Sequence, residues 1–276
     1  MPYDYANLQA DIETLKNSGA KIFYIGKTVL GKQIPCVFKG NLDGAQVFVH
    51  GAIHAREYIT SPLLIELIKN YNGAGGIWCV PMVNIDGVEL CQHGLASVPQ
   101  EKHEFLLKAN DGSENFELWK ANINAVDLNT NFFAKWGEGA NNVTYPNPSD
   151  YIGKMPACEP ETQALINITQ KILPSVTLSY HTRGEMVYWG FETVKTYLNE
   201  AREISMLLDY PLKESTGSAG GYKDWFVACT YNLGLTVECI NENTDYPIPL
   251  DVLPQLYRRH KDVLYLSEDI ARRIAK

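Results

Sequence analysis

Four widely separated residues have side chains that could share one chemical task. His54 and Glu57 lie three positions apart, and His181 and Glu238 follow much later in the 276-residue sequence. Two histidines and one carboxylate around an open fourth position are a common ligand set of catalytic zinc, which acidifies a bound water and polarises a carbonyl. A second carboxylate could take a proton from that water and pass it to a leaving amine. The residue types therefore indicate amide hydrolysis, with one zinc ion on His54, Glu57 and His181. Glu238 is the candidate general base.

The elements around these residues predict that they converge. A buried strand, 46–50, precedes the first pair, His181 directly follows a strand at 175–180, and Glu238 lies at the end of a strand that begins at Leu233. In open α/β sheets, ligand sites lie at the carboxyl ends of strands. This convergence is the main support for the site, because a His-x-x-Glu pair alone is explained equally well as a surface pair.

Strands alternate with helices along the chain, which is typical of an α/β/α sandwich around a mixed, mostly parallel sheet. We find no repeat, low-complexity tract or linker, so residues 1–276 are interpreted as a single domain. Long surface loops are predicted for 84–160, with one short helix near 115–121. The pattern predicts strands at 21–25, 34–38, 46–50, 77–81, 175–180 and 233–239, and helices at 6–17, 59–70, 159–172, 193–208, 222–230 and 254–275.

Composition excludes several partner classes from the prediction. The formal charge is −8 and no cluster of Lys and Arg stands out, which argues against a nucleic-acid partner. No apolar run reaches about 18 residues and the first 20 residues lack the pattern of a secretory signal, so neither a membrane span nor export is predicted. We therefore expect a cytoplasmic protein. Its expected partner is a peptide substrate, because the candidate site indicates amide hydrolysis.

Five motifs together resemble the zinc carboxypeptidases in order and approximate spacing. They are His54-Ala55-Arg56-Glu57, Asn84-Ile85-Asp86-Gly87, Val126-Asp127-Leu128-Asn129, Ser179-Tyr180-His181 and Thr236-Val237-Glu238. The resemblance covers nearly the whole chain and implies a mixed eight-stranded sheet. It also implies that Asp127 orients His54 through the second ring nitrogen, and that Arg56 and Asn129 line the substrate cleft.

The sequence departs from this family at positions that recognise a free C-terminus. The family's clamping Arg is replaced by Thr130, which cannot form a bidentate bond to a carboxylate. The family's oxyanion-stabilising Arg has no obvious counterpart, and Lys120 or Asn124 lies nearest to its position. The family's mobile capping Tyr also has no direct counterpart, although Tyr222 is close.

Two cations are candidates to anchor the substrate instead, although each is also explained as a solvated charge. Arg183 lies two positions after His181, and Lys223 occupies the family position that selects the side chain on the leaving group. The run from His181 to Trp189 is similar to the branch that cleaves cell-wall peptides between γ-D-glutamate and a diamino acid such as diaminopimelate. That resemblance favours a γ-D-glutamyl-diaminopimelate peptidase. Two alternatives remain: a conventional carboxypeptidase, with Lys120 or Arg183 holding the terminal carboxylate, and a zinc- or peptide-binding protein with weak catalysis.

Overall fold

The computed structural model describes residues 3–275, which form one eight-stranded sheet and the helices packed on it. The strands are β1 (Lys21–Lys27), β2 (Gln33–Gly40), β3 (Gln46–His50), β4 (Gly76–Val80), β5 (Val176–His181), β6 (Met186–Trp189), β7 (Leu212–Glu214) and β8 (Leu233–Glu238). The helices are α1 (Tyr5–Asn17), α2 (Thr60–Asn70), α3 (Ile85–His93), α4 (His103–Ala109), α5 (Pro160–Ile172), α6 (Leu198–Leu208), α7 (Tyr222–Thr230), α8 (Leu253–His260) and α9 (Val263–Ile274).

The sheet has the strand order β1-β2-β4-β3-β5-β8-β6-β7. The central neighbours β4/β3, β3/β5 and β5/β8 are parallel, as is the β6/β7 pair, whereas β1/β2, β2/β4 and β6/β8 are antiparallel. The central strands β4 and β5 are buried along their whole length, because helices cover both faces of a parallel sheet. The predicted α/β class with a mixed eight-stranded sheet is confirmed.

Helix α2 shows why the chain returns to the sheet after β3. It turns Leu63, Leu64, Leu67 and Ile68 into the core, and these four side chains are almost fully buried. The apolar spacing matches one face of a helix, so the segment can cross the sheet and deliver the chain to the parallel neighbour β4. No helix within 3–275 has the length and hydrophobicity needed to cross a membrane.

Three predicted helices differ from the structure. Residues 115–121 form turns, because their backbone groups pair with other loops, and helices α3 and α4 lie elsewhere in the predicted loop region. The helix predicted from residue 193 begins at Leu198, after Tyr197 in the left-handed region. The last predicted helix is two helices, of which α8 packs on α2 whereas α9 packs on α6 and the central strands.

The prediction also missed strand β6 and the edge strand β7, which are only four and three residues long. Runs that short carry too little alternation to distinguish a strand from a loop. Strand β6 pairs antiparallel with β8 from Met186 opposite Glu238, so it supports one side of the strand that ends in the candidate base.

Candidate active site

The carboxyl ends of β3, β5 and β8 bring the four predicted chemical residues together. His181 is the last residue of β5 and Glu238 the last residue of β8, and the two are directly paired in the parallel register. His54 and Glu57 follow β3, which is the other neighbour of β5. The sequence-based prediction of convergence from three strand ends therefore matches the positions of these residues.

A single turn of 3₁₀ helix at Ala55–Glu57 directs His54 and Glu57 to the same side. This turn is attached to a neighbouring loop by two backbone hydrogen bonds, from Ala55 to the Lys120 carbonyl and from Arg56 to the Trp119 carbonyl, each 3.0 Å long. The segment near 115–121, which was predicted as a helix, is thus a loop that supports this turn, and the two hydrogen bonds place Lys120 at the site.

The ligand atoms have the separations expected around one zinc ion. His54 Nδ1 lies 2.9 Å from Glu57 Oε1, His181 Nδ1 lies 3.0 Å from Glu57 Oε2, and the two Nδ1 atoms are 3.2 Å apart. Zinc–ligand bonds of about 2.0–2.1 Å in a tetrahedron separate the ligand atoms by roughly 3.3 Å. Two facing imidazole nitrogens also need a proton or a cation between them. The residues present therefore fit one zinc ion, which the buried triad can bind.

Asp127 fixes the orientation of His54. Its Oδ1 lies 3.1 Å from His54 Nε2, which leaves Nδ1 for the metal, as is common for zinc-bound histidines. Its Oδ2 pairs with the Lys120 ammonium at 3.0 Å and accepts the Asp150 backbone N–H. Burial opposes ionisation of Asp127, but Lys120 and then His54 outweigh it and hold the pKa of the carboxyl well below its ordinary value. Asp127 is therefore ionised behind His54, and the Lys120 ammonium compensates its negative charge.

The charges around the triad favour a cation. Burial opposes protonation of His54, but Glu57 and Asp127 outweigh it and raise its pKa to about 9. Burial likewise opposes ionisation of Glu57, yet the two histidines keep its pKa well below the ordinary value. For His181, burial lowers the pKa, so this ring is neutral at pH 7. A zinc ion that binds here must displace the proton of His54.

We therefore predict that zinc affinity rises with pH by about tenfold or more per unit between pH 6 and 8, because the His54 proton is released below the pKa of His54. Calorimetry in buffers of different ionisation enthalpy should record at least one proton released per zinc bound. An affinity that does not change across this range would contradict the assignment of that proton to His54.

Glu238 is the second carboxylate of the site and lies outside the ligand triad. Its Oε2 is buried and receives no hydrogen bond from the residues described. Burial first, and then the Glu57 carboxylate, raise the pKa of Glu238 to about 8. A carboxyl with a pKa near neutrality can both accept and return a proton, as a general base requires.

Two arginines flank one tyrosine beside the triad. The guanidinium carbons of Arg56 and Arg183 lie 4.7 and 5.0 Å from the centre of the Tyr246 ring. The Tyr246 hydroxyl is 2.7 Å from the Thr182 hydroxyl, and the backbone N–H of Thr182 donates to Glu57. Sequence reasoning identified both arginines but missed Tyr246, whose only signal was an aromatic residue in the loop after β8.

Asn129 and Thr130 line a cleft of about 170 Å³ together with His54, Lys120 and Asp127. The Asn129 amide oxygen accepts the Tyr222 backbone N–H, and the Thr130 hydroxyl donates to the Asp127 carbonyl. Both side chains therefore form part of the cleft wall, and hydrogen bonds within the protein fix their orientation. Two larger cavities of about 570 and 560 Å³ lie away from the triad, so size does not identify the site.

Two other predicted substrate contacts, Tyr222 and Lys223, are buried at the start of α7. The Tyr222 side chain is fully buried, with its hydroxyl 2.8 Å from that of Thr169. The Lys223 ammonium donates to the Gly190 carbonyl at 2.7 Å and to the Ser215 hydroxyl at 2.6 Å. It also pairs with Asp224. The structure does not bring either side chain into the cleft.

Lys120 and Asn124 were the two residues predicted to lie nearest to the position of the family's oxyanion-stabilising Arg, and the structure separates them. Lys120 lies in the cleft wall beside His54, whereas the Asn124 amide donates to Glu159 in another cavity. Motif spacing could not make this choice, because both residues lie within a few positions of the expected one.

The fold and the three converging ligands define a metal-dependent hydrolase. The profile of the zinc carboxypeptidase family matches residues 5–247. The chain belongs to this family and is a zinc metallopeptidase.

Two curated relatives are named for the peptides on which they act. The chain is 34% identical to gamma-D-glutamyl-L-diamino acid endopeptidase 1 of Lysinibacillus sphaericus, over 93% of this chain and 69% of that one. It is also 34% identical to murein peptide amidase A of Escherichia coli strain K12, over 29% of this chain and 36% of that one.

Two solved structures share the fold at low sequence identity. Carboxypeptidase A from Helicoverpa armigera aligns with a TM-score of 0.77 at 16% identity, covering 99% of this chain and 74% of that one. Murein-tripeptide amidase from Escherichia coli O157 aligns with a TM-score of 0.59 at 20% identity, covering 91% of each chain. At this identity the two structures support the α/β fold alone.

Proposed function

We propose that the protein hydrolyses the amide bond between γ-D-glutamate and a diamino acid, such as diaminopimelate, in peptides derived from cell walls. The observation that carries the proposal is Thr130, which stands where a conventional carboxypeptidase has its carboxylate-clamping Arg and which bonds to the Asp127 carbonyl instead. The names of the two curated relatives support the same substrate class.

In the proposed reaction, Glu238 moves the proton and Lys120 supplies charge. Zinc, when bound by His54, Glu57 and His181, acidifies a water molecule and polarises the substrate carbonyl. Glu238 takes a proton from the attacking water and passes it to the leaving nitrogen. Lys120 is the cation beside His54, so it stabilises the negative charge that develops on the carbonyl oxygen.

The arginines explain how a γ-linked glutamate would be recognised. A γ-linked D-glutamate keeps a free α-carboxylate on the acyl side of the bond, where a linear α-peptide has none. Arg183 is exposed and Arg56 partly exposed, and both lie against Tyr246 at the triad. In a chain of net charge −8, two adjacent guanidinium groups provide a local site for that carboxylate.

The deciding experiment compares substrates with the zinc-loaded protein. L-Ala-γ-D-Glu-diaminopimelate and a set of ordinary peptides with free C-termini are incubated separately, and the products are identified by mass. We expect diaminopimelate to be released from the first substrate only. Stepwise loss of C-terminal residues from the ordinary peptides would instead support a conventional carboxypeptidase, the alternative that the family favours. Turnover of neither substrate would favour a binding protein.

A prediction for Arg183 tests recognition of the α-carboxylate. Arg183→Ala should raise KM for L-Ala-γ-D-Glu-diaminopimelate about tenfold or more, because a charge-assisted hydrogen bond is worth about 1.5–3 kcal/mol. The same variant should change KM much less for the analogue in which that α-carboxylate is an amide. Arg202→Ala, at an exposed position on α6, is the matched control. Equal losses on the two substrates would contradict recognition through this charge.

A further inference from the structure

A buried hydrogen-bonded chain lies directly behind the ends of β5 and β8. The Tyr180 hydroxyl is 3.0 Å from His260 Nδ1, and the Tyr210 hydroxyl is 3.2 Å from His260 Nε2. The Tyr210 hydroxyl also donates to the Cys239 carbonyl at 3.1 Å. All four residues are at most 3% exposed.

The hydrogen bonds of this series all run in one direction, from Tyr180 as the first donor to the Cys239 carbonyl as the last acceptor. Strand β8 ends at Glu238, so the buried Cys239 carbonyl lies beyond the sheet ladder and takes its donor from Tyr210. Because the Tyr210 hydroxyl has a single proton, its oxygen must accept from His260 Nε2–H. A neutral imidazole then has an acceptor at Nδ1, which receives the Tyr180 hydroxyl proton. Burial, together with neighbouring Arg259, lowers the pKa of His260 to about 3, in keeping with a neutral ring.

The two ends of this chain are adjacent in sequence to two residues of the site. Tyr180 precedes the ligand His181, and its side chain points to the opposite face of the sheet because strand side chains alternate. Cys239 follows Glu238, and its backbone N–H donates to the His181 carbonyl at 2.9 Å. Helix α8, which ends at His260, is therefore connected to both strands immediately beside their functional residues.

Glu238 depends on its backbone for its position. Its buried Oε2 receives no hydrogen bond within residues 3–275, so this oxygen has no partner there to fix its direction. We propose that His260 is a positioning residue, which holds Glu238 and His181 at their working separation through the chain Tyr180–His260–Tyr210–Cys239 carbonyl. The part that concerns Glu238 rests on its proposed role as general base.

The test removes one hydroxyl at a time. Tyr210→Phe and Tyr180→Phe delete single hydroxyl groups, and His260→Phe deletes both nitrogen contacts. We expect each variant to lower kcat by about 10- to 100-fold with KM and zinc content unchanged, because small misplacements of catalytic groups have effects of this size. The double variant Tyr180→Phe/Tyr210→Phe should be no slower than His260→Phe, since all three changes break one chain.

A matched control separates positioning from stability. Tyr71, the residue that follows α2, is a buried tyrosine whose hydroxyl donates to Glu268 of α9 at 2.6 Å. Tyr71→Phe should lower the melting temperature to a similar extent and leave kcat unchanged. All rates are measured well below the melting temperature of each variant.

A second readout does not need turnover. With cobalt in place of zinc, the visible absorption bands report the coordination geometry set by all three ligands, including His181, and we expect them to shift in Tyr210→Phe but not in Tyr71→Phe. Unchanged kcat and unchanged bands in Tyr210→Phe and His260→Phe would overturn the inference. If the wild-type protein cleaves none of the peptides, the proposed function fails separately, and identical cobalt spectra would then overturn the inference without any rate.

Discussion

Glu238→Gln is expected to lower kcat by about 10²–10⁴-fold while zinc content stays at one ion per chain. The size follows from the loss of general acid–base catalysis. Zinc is retained because the ligand atoms of His54, Glu57 and His181 are untouched. The measurement combines steady-state hydrolysis of L-Ala-γ-D-Glu-diaminopimelate with metal analysis of the same preparation.

Glu242→Gln provides the control for this change. Glu242 is an exposed glutamate four positions later, and the same substitution there should leave kcat unchanged. Full activity of Glu238→Gln would show that Glu238 is not the general base and that another group transfers the proton. Loss of zinc from Glu238→Gln would show that the carboxylate contributes to metal binding rather than to proton transfer.

Lys120→Met should lower kcat by about 10²–10³-fold, the usual effect of removing one group that stabilises an oxyanion. The variant deletes the ammonium but keeps a chain of similar length. Affinity for a phosphonate analogue of the tetrahedral intermediate should fall in parallel with kcat, whereas KM should change little. This comparison is needed because Lys120 also pairs with the buried Asp127 at 3.0 Å, and an unpaired carboxylate there destabilises the fold.

Two further variants distinguish charge from structure at Lys120. Lys120→Arg keeps the positive charge and should keep most of the activity. Asn124→Ala removes the other sequence candidate, whose amide donates to Glu159, and should leave kcat unchanged. If Lys120→Met were only less stable and bound the phosphonate normally, the role of Lys120 would be to compensate the negative charge of Asp127.

Sequence analysis predicted the two residues of these experiments, Glu238 and Lys120, with unequal precision. Glu238 was predicted from a strand end and a motif, and the structure pairs it with His181 across β5 and β8. Lys120 was one of two candidates, and its place depends on backbone bonds between residues 55–56 and 119–120. Pairing between distant loops has no periodic signal in a sequence, which is why the segment near 115–121 was predicted as a helix.

The sequence by itself was enough to predict the candidate ligand residues, the family resemblance and the central strands. These are local properties: a buried strand reads as a continuous apolar run, and a ligand at its carboxyl end follows immediately in the chain. Strands β6 and β7 were missed because they are only four and three residues long, too short to show a strand pattern.

Only the tertiary structure decided which polar side chains reach the cleft. Lys223 and Tyr222 carry the polar groups expected of substrate contacts, yet packing buries both and supplies their partners from Ser215 and Thr169. Tyr246 and His260 attracted no functional prediction, but one lies between two arginines beside the triad and the other connects two tyrosines behind it. The reason is physical: whether a polar group is free or engaged depends on neighbours that are distant in the sequence.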